Sequence, residues 1–166
     1  MTSRLLKTAL LGAAALLLAP AIASARSPVP AAYAATLRQA VPAQKLVEAV
    51  IAANPDMIDL LMHVTPPGQP KNLVIAAHLT HAVGEESGDD DLGVMNTDQP
   101  LVEVQKDGVR IGVLVQMRDA GGHAIGALGL MYPYKPGDDQ AAVLARSIRI
   151  RDQLAARIPS TDALFL

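Results

Sequence analysis

The chain has 166 residues and a formal charge of −2, with no cysteine, no tryptophan, three tyrosines and one phenylalanine. The lack of thiols excludes disulfides, iron–sulfur clusters, thiolate zinc sites, thiol catalysis and a lipid anchor on cysteine. A mildly acidic, aromatic-poor chain offers neither a phosphate-neutralising patch nor a base-stacking platform, so nucleic acid is not expected as a partner.

Residues 1–25 read as a secretory signal. Arg4 and Lys7 form a positive start, "ALLGAAALLLA" follows over 9–19, and "ASA" at 23–25 supplies small residues before Arg26. The apolar core falls short of the roughly 20 residues that span a membrane, so cleavage between Ala25 and Arg26 and a periplasmic or secreted location are expected. Loss of Arg4 and Lys7 takes the 14 basic residues to 12 against 16 acids, a formal −4. "RSPVP" at 26–30 reads as a linker, and 31–166 as one domain large enough for its own core.

Apolar residues at helical spacing predict a helix over 31–53, with Pro42 forcing a break at Val41–Pro42 or starting a new first turn there. "MIDLLMHVT" (57–65) and "LVIAAH" (73–78), joined by a Pro/Gly-rich segment, predict a hairpin. Residues 79–99 read as a long polar loop with a helical turn at Asp89–Leu92; loops of that length are functional or disordered. Three antiparallel strands follow at 101–105, 109–117 and 123–132, with turns at "KDG" and "RDAGG". Residues 138–158 predict a final helix capped by Asp138 or Asp139, with Leu144, Ile148, Leu154, Ala155 and Ile158 inward and Arg146, Arg149, Arg151, Asp152 and Arg157 solvated. The expected fold is therefore α+β: a five-stranded antiparallel sheet with a long N-terminal helix and a C-terminal helix.

That order resembles a single Cache domain, the extracytoplasmic relative of PAS sensor domains. The resemblance covers about 31–158 and rests on "LVIAAH" before the glycine- and acid-rich "AVGEESGDDDLGV", and on the closing hairpin "VRIGVLVQMRDAGGHAIGALGLMYPY". It implies a small-molecule-binding module with its pocket between sheet and loop. Family receptors continue into a transmembrane helix and a signalling domain, whereas this chain is expected to end at Leu166 without one, and a membrane protein partner would relay its signal. The Trp/Tyr-rich motif of the amino-acid-binding branch has no counterpart here.

Strand alternation puts Val109, Ile111, Val113, Val115 and Met117 on one face and Arg110, Gly112, Leu114 and Gln116 on the other. A face carrying Arg110, Gln116 and Tyr132 is either wet or roofed by 79–99. If roofed, it is a pocket with a guanidinium for a small polar or anionic ligand and a phenol to orient it. Tyr134, beyond Pro133, either seals the corner or joins the site, and His78 lies at the loop entry. His78 and His81, with nearby acids, form a weaker set for a divalent metal, although "HLTH" is not a zinc-binding helix motif. Ser87 stands in "ESG" without a nucleophile motif, and no phosphate or dinucleotide fingerprint occurs, so no enzymatic activity and no cofactor are expected. The competing readings are an interaction scaffold without a pocket and a metal-binding protein built on His78 and His81.

Overall fold

Pro42 decides how the helical half begins. The structure, a computed structural model, describes residues 31–165; the signal and linker expected over 1–30 lie outside the described residues. Helix α1 (Ala31–Gln39) stops at Ala40, and α2 (Val41–Ala53) restarts with Pro42 in its first turn, where a missing N–H costs no helical bond. Of the two outcomes expected at Val41–Pro42, the new first turn is the one found.

Five strands follow: β1 (Asp59–Val64), β2 (Leu73–Ala77), β3 (Leu101–Val104), β4 (Arg110–Arg118) and β5 (Ala124–Pro133). They form one antiparallel sheet in the order β2-β1-β5-β4-β3. The α+β architecture and all five strands are those expected, within one or two residues at each end. β5 lies at the centre between β1 and β4, so the first and last strands are neighbours in the sheet.

One face of the sheet is the main core. Leu60, Met62 and Val64 of β1, Ile111, Val113, Val115 and Met117 of β4, and Leu128, Leu130 and Tyr132 of β5 pack there against α2 and against α4 (Gln140–Ala155). Asp139 caps α4 by accepting from the backbone N–H groups of Ala141 and Ala142 at 2.9 and 3.1 Å. The buried stripe of α4 runs through Ser147, Ile150 and Leu154 and continues to Ile158; Val143, Leu144, Ile148 and Ala155 flank it, half-buried. Arg149, Asp152 and Arg157 are exposed as expected, but Arg146 folds back over Tyr132, 5.1 Å above the ring centre, and forks onto Asp56 and Asn54. Val109, expected in the core, precedes the strand and is exposed.

The second face is roofed by 79–99, which holds more regular structure than a loop. A 3-10 turn (Thr80–Ala82) is followed by α3 (Asp89–Thr97), whose first-turn Asp91 accepts from the N–H of Gly88 at 2.8 Å. Three aspartates in the first turn also suit the positive end of a helix dipole. Segment 84–87 pairs along the outer edge of β2, through Val74 N–H to Glu85 O at 2.9 Å and Ser87 N–H to Asn72 O at 3.0 Å. The Gln44 side chain completes that edge by bonding both backbone groups of Ala77. Gln116 then ties α3 to the sheet, donating to Met95 O at 2.7 Å. Among the described residues no helix is long and apolar enough to cross a membrane.

Candidate functional site

Against the second face of the sheet, beside the start of α3, lies a half-open cavity of about 210 Å³, to which α3 contributes Asp90. Leu61 of β1, Leu101 of β3, Leu114 of β4 and Met131 of β5 make its apolar walls, and Gly112 and Gly129 leave its floor without side chains. Those glycines sit where Cβ atoms would otherwise project into the space. A Cβ on Gly129 would rest 3.5 Å from Leu114 and 3.6 Å from Leu61, in ordinary contact. His63, Asp90, Glu103 and Gln105 supply the polar lining; among the described residues, no lysine or arginine lines it.

His63 is the buried polar group of this set, 7 % exposed although it stands on an interior strand. Its orientation follows from its partners. Asn72 donates its Nδ2 protons to Thr65 Oγ1 at 3.2 Å and towards Met95 Sδ at 3.5 Å, so its Oδ1 receives the Ser87 hydroxyl. Ser87 Oγ, its own proton committed, accepts from His63 Nδ1 at 3.0 Å. Asp91 Oδ2, 3.5 Å from the same nitrogen, agrees with a proton on Nδ1. Nε2 is left as a bare acceptor, 3.6 Å from where a Cβ on Gly129 would stand, and it faces the cavity. Burial pushes the imidazole below its ordinary 6.5, against opposing pulls from Asp91 and Glu85, and so favours the uncharged ring.

Ser87, His63 and Asp91 do not form a nucleophilic relay. A relay needs serine on one ring nitrogen and the carboxylate on the other. Here both face Nδ1, and Ser87 has given its proton to Asn72.

The residues expected at a site are distributed differently. Gln116 lies on the roofed face, but its amide is spent on α3. Arg110 is on that face too, two pairs beyond Gly112, exposed and held by Asp107 of its own turn. Tyr132 is corrected to the opposite face: it pairs with Ile111, is buried beneath α4 and bonds Ser147 Oγ at 3.0 Å. Tyr134 packs half-buried against the main core. His78 sits past the end of β2 with Nδ1 3.5 Å from Glu48, and His81 is exposed on the 3-10 turn. Among the described residues no group of three or more histidines and carboxylates could hold a metal ion. His63, Ser87, Asn72 and the two glycines are what the residue pattern left unassigned. The one signal for them was an imidazole on the β1 face opposite Leu60, Met62 and Val64.

No protein-family model matches the chain, and no curated protein matches it. Solved structures do. The type II free methionine-R-sulfoxide reductase from Thermoplasma acidophilum is 18% identical, with a TM-score of 0.50, over 78% of this chain and 97% of that one. The inducer-binding domain of the PobR transcription factor from Acinetobacter, a double mutant complexed with 3-hydroxy benzoic acid, is 11% identical with a TM-score of 0.46, over 71% and 95%. A putative GAF sensor protein from Burkholderia vietnamiensis is 16% identical with a TM-score of 0.39, over 75% and 90%. At such identities, likeness concerns the fold alone. The shared fold is α+β, a five-stranded antiparallel sheet with helices on both faces.

Proposed function

We propose that this protein is a sensory domain that binds a small molecule in the cavity on the sheet beside the start of α3, without catalysing a reaction. One observation carries the reading: a half-open, glycine-floored cavity into which a buried histidine turns an unused acceptor. Ligand sites of this kind combine apolar walls with a few placed polar groups, and at about 210 Å³ this one suits a molecule below the roughly 300–1,000 Å³ of drug-sized pockets. The neighbours that bind an inducer or carry a GAF sensor support it by analogy of fold. Membership of the Cache branch of the PAS-like fold, export through residues 1–25 and relay to a membrane protein partner complete the proposal.

The binding test is Gly129→Ala. Its methyl group would fill the floor in ordinary contact with Leu114, Leu61 and His63. Replacing a mid-strand glycine also removes chain entropy, so the variant is expected to be more stable by about 0.5–1 kcal/mol. Native mass spectrometry of protein purified from its own cells should show a retained small molecule on the parent and none on the variant. A variant that keeps the mass, or a parent that carries none and takes none from a metabolite extract, refutes the cavity as the ligand site. Export is checked by N-terminal sequencing of cell fractions: the mature chain is expected to begin at Arg26, and a full-length cytosolic protein would overturn that part.

A further inference from the structure

Resting on the cavity as the ligand site, we infer that the ligand is a small, apolar-bodied molecule that is not an anion and that donates an N–H or O–H hydrogen bond to His63 Nε2. The direction of that bond is set by the network behind the ring. Asn72 fixes Ser87, Ser87 fixes Nδ1 as the donor, and the nitrogen left over can only accept. Water can meet that acceptor in the half-open cavity; an occupant that displaces the water leaves the nitrogen unpaired unless it supplies a proton of its own, so the site favours a donor.

Charge points the same way. The ionisable side chains that line the cavity besides His63 are Asp90 and Glu103, and Asp91 stands behind the imidazole. A carboxylate or phosphate would meet two acids and a lone pair, with no lysine or arginine among the lining residues to offset them. Arg110, the cation expected to receive an anion, is held by Asp107 away from this lining. The walls of Leu61, Leu101, Leu114 and Met131 call for a compact hydrocarbon body behind the donor. Small amides, amines and alcohols with a branched aliphatic part meet these terms.

Four probes on one isobutyl frame separate the contributions: isovaleramide, isoamylamine as its ammonium ion, isovalerate, and methyl isovalerate. Binding is read by NMR on the full chain, from the cavity-lining residues and from the Nε2 resonance of isotope-labelled His63. The amide and the ammonium ion are expected to move the Nε2 resonance. They should bind about ten- to a hundredfold tighter than isovalerate and the ester, the fold-change for satisfying a buried acceptor. His63→Phe should erase that preference, and if this variant does not fold, the Nε2 resonance of the parent decides. Isovalerate or the ester binding as tightly as the amide overturns the donor inference and leaves the cavity reading intact. So does an amide that shifts the lining residues but leaves Nε2 unmoved. Failure of all four probes to perturb any cavity residue overturns both.

Discussion

Tyr132→Ala is expected to destabilise the fold by about 3–5 kcal/mol, the usual loss when a buried aromatic is truncated to alanine. The ring is 3 % exposed and lies between β4 and α4. Its hydroxyl meets Ser147 Oγ at 3.0 Å, and Ser147 in turn donates to Val143 O within α4. Above the ring, Arg146 reaches across to Asp56 with two hydrogen bonds of 2.6 and 2.8 Å. Removing the ring therefore opens a cavity and unseats the guanidinium that pins α4 to the loop before β1. Tyr132→Phe keeps the ring and should lose only about 1 kcal/mol, the net worth of one hydrogen bond. Denaturant unfolding checks both, with the midpoint falling and the slope unchanged. A nearly silent Tyr132→Ala that instead abolished ligand retention would return the tyrosine to the cavity side.

Tyr132 also shows where residue patterns stop being informative. The alternation along 109–117 places each residue relative to its own strand, and the row Ile111, Val113, Val115 and Met117 is buried as expected. Whether Tyr132 joins that row depends on which residue it pairs with. That is set by the turn at 119–123 and by a register shift between Met117 and Arg118. A shift of one residue moves a whole strand's side chains to the other face, and no local pattern reveals a bulge in advance. The α3 helix was obscure for a different reason. Of its nine residues only Val94 is buried, so it has hardly any apolar stripe to read. Its acids look like wet loop although they suit a helix start. His63 carries no local mark of its role, because β1 becomes an interior strand only through its pairing with β5, some 65 residues later in the chain. The strands, the proline break and the capped final helix were legible because their causes are local.

Gly126→Ala is expected to produce the other large loss. β1 and β5 pair so closely at this point that a Cβ on Gly126 would stand 2.1 Å from the carbonyl oxygen of His63, and 3.1 Å from Val64 Cγ2. A backbone oxygen in an interior strand has no rotamer to escape into, so the strands must part. Overpacking of this kind costs about 3 kcal/mol, roughly 10 °C in melting temperature for a domain of this size. The strand that must move carries His63, so the same substitution should displace the acceptor in the cavity and weaken ligand retention. Gly129→Ala is the internal control. It makes the same chemical change on the same strand three residues on, where the nearest atom would be 3.5 Å away. One alanine is expected to unfold the pairing and the other to stabilise it while filling the site. Thermal melts of the two variants beside the parent decide the matter. If Gly126→Ala melts within a degree or two of the parent, the close approach of β1 to β5, and with it the placement of His63 over the cavity floor, is wrong.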